Sequence, residues 1–316
     1  MKSVLRSLAT AGVFILMATT GAVADWKPSG PITMLIGFAA GGGADTQARM
    51  IAEELEKRHG WTIIPEQATG GGGAKLSAKI KDMPNDGTVI GLAVTETYGY
   101  NMIANPKAGY TQADITPLTT TAGFQMGIVA QTSKGWKDFG DVIDAAKAGE
   151  TIRFGTMSPK IADIAYLLGE ANGVEFNIIE VKGGKAVMNG VNAGDMDIGF
   201  MAGIQAKGVA AGDLVNLASA LSTPLKMSPD AKGMDAYGVD FTLDGYFVFV
   251  GPGGMPSDAR KAISSAIAEI VNDPSTKAGG FIKKAFGGPA TISGAELGGL
   301  LAKDAASSES LMMAVN

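Results

Sequence analysis

Short apolar runs alternate with segments of helical periodicity along most of this chain. Residues 32–38 form an apolar run of strand length, and Ala48, Ile51, Ala52 and Leu55 follow at the spacing of one helix face. Repetition of a buried strand and an amphipathic helix is typical of an α/β architecture with a mainly parallel sheet. The pattern therefore predicts the α/β fold class.

The same alternation predicts two series of elements. The first series has strands at 32–38, 61–65 and 88–94 and helices ending near 60 and spanning 73–81. The second has strands at 127–130, 152–155, 176–181 and 197–200 and helices around 138–148, 161–171 and 185–193. An apolar run at 246–250 and a later amphipathic helix are expected to return to the first series and complete its domain. We expect two lobes around a cleft, residues 25–121 plus 247–316 and residues 122–246.

Glycine-rich junctions recur between a strand and a helix. They have the sequences GFAAGGGAD at 37–45, QATGGGGA at 67–74 and VKGGKA at 181–186. Glycines let a ligand approach backbone amides, and the helix that follows adds the partial positive charge of its N-terminus. Two or three such junctions facing one cleft would suit a ligand with an anionic end, most naturally a carboxylate. The alternative is that these glycines serve only tight turns and close packing of helix on strand.

The first 24 residues have the pattern of a secretory signal peptide. Lys2 and Arg6 precede an apolar stretch at about 8–17, and Ala22-Val23-Ala24 forms a cleavage site. We expect the mature chain to begin at Asp25. An uncleaved membrane anchor is the alternative, but the apolar stretch is too short to span a bilayer.

Composition narrows the choice of partners and compartment. The formal net charge is -5, which makes nucleic acid and an anionic membrane surface unsuitable partners. The chain has no cysteine, which excludes disulfides, thiol catalysis and zinc sites built on cysteine. An exported chain of this kind, without an anchor, is expected in a periplasm.

Catalytic machinery is sparse. The single histidine, His59, precedes Gly60 at a predicted helix C-terminus, where it fits a role in ending the helix. The chain has no Gly-x-Ser-x-Gly elbow, and one histidine is a poor set of metal ligands. The glycine-rich junctions match neither a phosphate loop nor a dinucleotide fingerprint. We therefore expect a protein that is not an enzyme and that needs no metal and no cofactor; a periplasmic enzyme is the rival class.

Five segments, taken in their order and spacing, carry a family resemblance. They are PITMLIGFAAGGGAD at 31–45 with Arg49, PNDGT at 84–88, KGG at 182–184, AGDMDIGF at 193–200 and GPGGMP at 251–256. Each is weak alone, but together they resemble the extracytoplasmic solute receptors of tripartite tricarboxylate transporters, also called Bug receptors. The resemblance extends from about residue 26 to the C-terminal helix.

The resemblance implies a type II periplasmic-binding-protein fold. Its two α/β lobes would close on a small organic acid and dock on the integral membrane permease subunits, with no chemistry on the ligand. We expect the protein to be a monomer. In the family, the loops that match 38–45 and 68–73 hold a carboxylate through backbone amides and ordered waters. Second-lobe contacts would come from 156–158, 182–184 and 200–202. A receptor read by a sensor kinase would share this fold and site, and it remains an alternative.

Residues 95 and 98 follow the third predicted strand, at the end that faces the cleft. We therefore add them to the candidate residues in the loops that the resemblance implies. The expected ligand-binding residues are Phe38, Ala40, Gly41, Gly42, Gly43, Ala44, Asp45, Thr69, Gly70, Gly71, Gly72, Thr95, Tyr98, Thr156, Met157, Ser158, Lys182, Gly183, Gly184, Met201 and Ala202.

Two charged candidates have simpler structural roles. Asp45 and Arg49 are four residues apart on one predicted helix and would form an ion pair worth about 0.3–0.5 kcal/mol if exposed. Asp45 would also serve as a helix cap or accept a donor from an amino-bearing ligand. Lys182 fits a solvated lysine at the edge of a loop as well as a cationic ligand contact.

Other candidates also have structural alternatives. Tyr98 would serve equally as a packing residue, and Met157 and Met201 as core filler. Ser158 followed by Pro159 fits an N-cap with proline at the first helical position. Each residue therefore has a role that needs no ligand.

The chain departs from the family pattern where ligand identity is decided. Residues 66–70 (EQATG) lack the Arg and Pro of the family's Asn-Arg-Pro-Gly-like segment. Residues 156–164 lack its Gly-Ser loop and His-Leu pair, and 246–248 (YFV) replace a Trp-Tyr-Gly-like segment. A monocarboxylate with an apolar or aromatic body is therefore an alternative to the usual dicarboxylate or tricarboxylate.

Overall fold

The strands alternate with helices along the chain. The structure is a computed structural model that describes residues 26–315, so the predicted signal peptide and its cleavage site lie outside the described residues. The strands are β1 (Ile32–Ile36), β2 (Ile63–Gln67), β3 (Val89–Val94), β4 (Ile115–Gly123), β5 (Gly127–Gln131), β6 (Arg153–Thr156), β7 (Asn177–Glu180), β8 (Ile198–Met201), β9 (Leu214–Ser219) and β10 (Tyr246–Pro252). The helices are α1 (Gly43–His59), α2 (Ala74–Ile80), α3 (Tyr100–Ala104), α4 (Phe139–Lys147), α5 (Pro159–Asn172), α6 (Gly184–Ala193), α7 (Ala206–Ala211), α8 (Ser257–Asn272), α9 (Lys277–Phe286) and α10 (Gly294–Val315).

Two sheets with the same arrangement organise the fold. The first has the order β2-β1-β3-β10-β4 and the second the order β7-β6-β8-β5-β9. The pairs β1·β2, β1·β3, β6·β7 and β6·β8 are parallel. β10 runs antiparallel to both of its neighbours, and so does β5. The predicted two-lobe α/β class is confirmed, but the sheets are mixed rather than mainly parallel, since each has two parallel and two antiparallel pairs.

The antiparallel strands are those that enter a sheet from the other lobe. β5 follows β4 after only three residues, and β10 brings the chain back from the second lobe to the first. Two parallel strands of one sheet must be joined by a crossover connection, usually a helix. β5 and β10 each enter their sheet from the other lobe, so no crossover within that sheet precedes them and they can run antiparallel to their neighbours. The predicted lobe boundaries, near 121 and 247, stay a prediction.

Local sequence accounts for the position of the first junction. β1 and β3 are apolar and buried, as expected for central strands covered on both faces. Ala48, Ile51 and Leu55 are fully buried on α1, which fixes this helix against the sheet. The helix ends at His59 because Gly60 adopts the left-handed conformation, with φ of 67°, and its amide caps Glu56 O. The start of α1 is thereby held at the carboxyl end of β1.

A buried carboxylate ties the strands of the second lobe together. Asp197 accepts hydrogen bonds from the backbone amide and side chain of Arg153, each at 2.9 Å, and from Lys134 at 2.6 Å. Burial acts to raise the pKa of Asp197, but the hydrogen bonds from Arg153 and Lys134 outweigh it and hold the pKa well below its usual range. The charged form of Asp197 therefore stabilises the fold.

We expect acid to weaken the second lobe through Asp197. Because the folded-state pKa is depressed, the stabilisation is complete above the unfolded-state value of about 3.9 and is lost as the pH falls toward the lower folded-state value. Asp197→Asn should lower the free energy of unfolding at neutral pH by about 1–3 kcal/mol and flatten its decline below pH 4. Urea melts of both proteins at several pH values measure this. Parallel pH profiles for the two proteins would contradict the assignment.

Candidate functional site

The loop between β1 and α1 carries the first set of backbone amides. Its own structure already uses some of them, since the amide of Gly42 donates to Ala39 O at 3.2 Å and that of Gly41 to Asp45 Oδ2 at 2.9 Å. The amides of Gly43 and Ala44 belong to the first turn of α1 and have no acceptor inside the helix. These two amides, with the helix dipole behind them, are the donors that an anion would meet.

Asp45 is a structural residue of this loop. Its side chain is buried, and besides the Gly41 amide it accepts hydrogen bonds from Arg49 Nε at 2.9 Å and from Gln67 Nε2 at 2.5 Å. The ion pair with Arg49 has the i, i+4 spacing that the sequence indicated. The carboxylate thus joins the loop after β1 to the end of β2.

The loop between β2 and α2 has a backbone that only glycine adopts readily. Gly70, Gly71, Gly72 and Gly73 all have positive φ. The carbonyl of Gly72 accepts from Thr97 Oγ1 at 2.7 Å, which holds the loop against the turn after β3. A second cavity is lined by Gly70, Gly71, Gly72 and Lys182 with Phe38 and Met157.

The second lobe contributes the starts of α5 and α6. Ser158 caps α5 by accepting from the amide of Ile161 at 3.4 Å, and Pro159 is the first helical residue. Gly183, with φ of 122°, precedes α6. The amide of Ala39 donates to Lys182 O at 3.1 Å, so the loops of the two lobes touch each other across the cleft.

One cavity lies where these loops meet, and the N-termini of α1, α5 and α6 all reach it. Phe124, Phe247 and Phe286 form one wall, with ring centroids 5.2 Å apart for the first pair and 4.8 Å for Phe247 and Phe286. The lining residues are Phe38, Ala39, Gly42, Gly43, Ala44, Val94, Glu96, Phe124, Met157, Ser158, Ile161, Gly183, Gly184, Ala202, Ile204, Phe247 and Phe286. The cavity is therefore mainly apolar, with helix N-termini along part of its edge.

Glu96 is the one ionisable side chain among the described residues that line this cavity. It is 2% exposed, and its Oε2 accepts from Ser158 Oγ at 3.3 Å. Burial raises the pKa of Glu96 and Asp304 adds to this, whereas Lys160 and the Ser158 hydrogen bond act against it. The cavity thus contains one acid and no lysine or arginine within its described lining.

Several expected site residues come together here. The cavity lining includes Phe38, Gly42, Gly43, Ala44, Met157, Ser158, Gly183, Gly184 and Ala202. Gly41 lies at a separate groove that also contains Lys185, and Thr95 lies at another beside Lys160 and Asp304. Neighbouring expected residues lie outside the cavity lining: Ala40, Asp45, Thr69, Tyr98, Thr156 and Met201.

Buried packing accounts for three of the residues outside the lining. Tyr98 is fully buried, accepts a hydrogen bond from Ser77 Oγ at 3.2 Å and packs edge-on against Tyr110. Thr156 and Met201 are also fully buried. Their roles as ligand contacts stay a prediction.

Sequence reasoning did not single out Glu96 or the aromatic wall. Glu96 lies between Thr95 and Tyr98, both of which the position after β3 did indicate. Burial of a glutamate in a short polar segment has no local signal. Phe124 and Phe286 are far apart in the sequence, so only the fold brings them together.

None of the helices within residues 26–315 combines the length and hydropathy that a bilayer crossing requires.

Known proteins resemble this chain along most of its length. A protein of Agrobacterium vitis, described as a UPF0065 protein in the TAR-I ttuE-ttuC' intergenic region, is 25% identical over 278 residues, which cover 83% of this chain and 79% of that protein. The adipate-bound structure of a Rhodopseudomonas palustris protein has a TM-score of 0.80 at 19% identity and covers 91% of this chain and 98% of its own. MatC from the same organism, with bound malate, has a TM-score of 0.78 at 18% identity, covering 92% and 100%.

These structural similarities confirm the predicted periplasmic-binding-protein fold. Residues 47–286 match the family described as the tripartite tricarboxylate transporter family receptor. The matched range contains α1 from its second turn, the second lobe and the Phe286 side of the cavity. The chain therefore belongs to the receptor family of the tripartite tricarboxylate transporters, as the order and spacing of its five sequence segments indicated.

Proposed function

We propose that this protein is a periplasmic receptor that captures a small organic carboxylate between its lobes and delivers it to a membrane permease. The observation that carries the proposal is the meeting of three helix N-termini at one apolar cavity. The role is capture and release, without chemistry on the ligand. The family membership and the carboxylates named with two structural neighbours support it.

The carboxylate group would bind at the start of α1. Gly43 and Ala44 line the cavity and supply amides that lack an acceptor within the helix. Ser158 and Gly184 lie at the same cavity on the other lobe and would complete the contact. Gly70 to Gly72 and Lys182, which line the second cavity, would hold the outer edge of the ligand through ordered water, with Thr69 next to them in the chain.

The body of the ligand would be apolar. Phe124, Phe247 and Phe286 present aromatic surface, and Met157 and Ile204 add flexible and branched aliphatic groups. A second ionised carboxylate would find no lysine or arginine among the described residues of this lining. We therefore favour a monocarboxylate over the dicarboxylates named with the neighbours.

Binding would act by closing the lobes. The Ala39 amide already donates to Lys182 O across the cleft, and a ligand held by both lobes would add contacts that exist only in the closed form. Such a ligand stabilises closure by the difference between its affinities for the closed and the open form. The permease would then recognise the closed form.

A thermal-shift screen tests the proposal. The ligand-free mature protein is melted with monocarboxylates, dicarboxylates and tricarboxylates, including aromatic acids. A ligand at about 1,000 times its Kd adds about 4 kcal/mol to the free energy of unfolding, which raises the Tm by several degrees. We expect this rise with monocarboxylates of apolar body and not with their primary amides, which have the same shape without the charge. No shift with any carboxylate would contradict the proposed function.

A further inference from the structure

Glu96 is an incompletely satisfied acid in the wall of the cavity. The residue is 2% exposed and lies in the turn Thr95–Tyr98 that follows β3. Ser158 Oγ lies 3.3 Å from its Oε2, while Oε1 is buried and has no hydrogen-bond partner within residues 26–315. Glu96 lines the cavity, and Oε1 is therefore an unpartnered carboxyl oxygen of a residue in the cavity wall.

The neighbouring charges do not satisfy Oε1. Lys160 is buried on α5, but its Nζ pairs with Asp304 Oδ1 of α10 at 3.7 Å. No ion pair joins Lys160 to Glu96 among the described residues. Asp304 itself is a half-buried second acid, whose Oδ2 has no hydrogen-bond partner within residues 26–315. Glu96, Lys160 and Asp304 thus place two carboxyl groups beside one ammonium group. A further hydrogen-bond donor would stabilise this cluster.

A purely structural role for Glu96 explains only one of its two carboxyl oxygens. The Ser158 contact ties the turn after β3 to the start of α5, across the two lobes. That role uses Oε2 and would leave Oε1 as a buried acceptor without a donor, which is unfavourable and rare in native proteins. A ligand that brings a donor would remove this deficit, and only in the closed form where the cavity is assembled.

We propose that Glu96 selects a ligand bearing a hydrogen-bond donor, a hydroxyl or an ammonium, on its apolar carbon skeleton. This inference rests on the proposed function, since the carboxylate of the same ligand occupies the start of α1. The donor binds Oε1 of Glu96 while the skeleton lies against the aromatic wall. The substrate class is therefore a hydroxy or amino monocarboxylic acid.

The test compares acids of one skeleton. Hexanoate, its hydroxy and amino derivatives substituted at carbons 2 to 6, and hexanedioate are titrated calorimetrically into the ligand-free mature protein. We expect at least one hydroxy or amino acid to bind about 10- to 100-fold more tightly than hexanoate, the gain typical of a hydrogen bond to a buried charged group. The amino and hydroxy series separate the two kinds of donor.

Two substitutions at Glu96 sharpen the test. Glu96→Met keeps the length of the side chain and removes the acceptor, so it should abolish the preference for the donor-bearing acid over hexanoate. Glu96→Gln keeps one acceptor oxygen, so it should retain much of a preference for a hydroxyl and lose one for an ammonium. Glu54→Met is the matched control, because Glu54 is also buried but contacts Lys57 and Arg58 away from the cavity. It should leave the preference unchanged.

Failure of this inference differs from failure of the proposed function. Equal binding of hexanoate and all of its derivatives, or tighter binding of hexanedioate, would overturn the role of Glu96 and leave a carboxylate receptor. So would a preference that survives in Glu96→Met, or a screen in which only acids without a donor bind. Absence of binding by every carboxylate would overturn the proposed function itself. A thermal melt of each variant shows whether it is folded.

Discussion

Replacing Phe154 with alanine should lower the free energy of unfolding by about 3–5 kcal/mol, the usual cost of removing a fully buried aromatic side chain. Phe154 lies on β6 and is fully buried. Its ring stacks on Phe200 at 4.9 Å, meets Phe176 edge-on at 5.5 Å and lies 6.3 Å from Phe139. The substitution would leave a cavity among these three rings, and the aromatic pair contacts of Phe154 would be lost as well.

Equilibrium urea unfolding, followed by circular dichroism, measures this loss. Tyr166→Ala on α5 is the control, since this aromatic side chain is 44% exposed and its removal should change stability by less than about 0.5 kcal/mol. A loss below about 1 kcal/mol for Phe154→Ala would show that the cluster repacks and is not the centre of the second lobe. Because β6 leads directly into the start of α5, we also expect the variant to bind ligand more weakly.

Replacing Gly42 with valine should reduce ligand affinity by about 10- to 100-fold with little loss of stability. A Cβ at this position would lie 3.1 Å from Ala39 O and 3.7 Å from Lys185 Cβ of the other lobe. The valine methyl groups extend further into the gap that closes when the lobes meet, at the cost of about 1–3 kcal/mol expected for an overpacked contact. The backbone tolerates valine, because Gly42 has φ of -78° and ψ of 172°, an extended conformation.

Calorimetric titration with the tightest acid of the carboxylate screen measures the effect. Gly30→Val is the matched control, since a Cβ there meets nothing within 4 Å and the residue lies away from the cavity. We expect the control to bind like the natural protein. Unchanged affinity in Gly42→Val would mean that the start of α1 does not approach the other lobe when ligand binds.

Elements with a strong local pattern could be predicted from the sequence. The helix after the first junction ends at His59 as expected, and α6 begins one residue before its predicted start. β4 was missed, because its threonines have no apolar alternation. Those threonines are satisfied by distant partners, with Thr120 Oγ1 donating to Ala290 O at 2.6 Å and Thr121 Oγ1 to Gln47 Oε1 at 2.6 Å. Local patterns carry no information about such partners.

The candidate site also has a part that the sequence predicted and a part that it did not. Its backbone part, the glycines before α1, α2 and α6, was visible because runs of glycine between a strand and a helix stand out in the sequence itself. Its side-chain part was not, since Phe124, Phe247 and Phe286 come from separate elements. The spacing of Asp45 and its arginine indicated their ion pair, and the tertiary structure adds Gln67 and a backbone amide as further partners.

By itself, the sequence determined the α/β class, the family and the glycine-rich loops that line the cleft, because strand and helix periodicity and glycine runs are local properties of the chain. Only the tertiary structure decided which way β5 and β10 run and which side chains form the cavity wall. It alone also decided that Glu96 is buried with one oxygen unpartnered. Burial depends on contacts between residues distant in the sequence, and so do the hydrogen bonds that a buried acid makes.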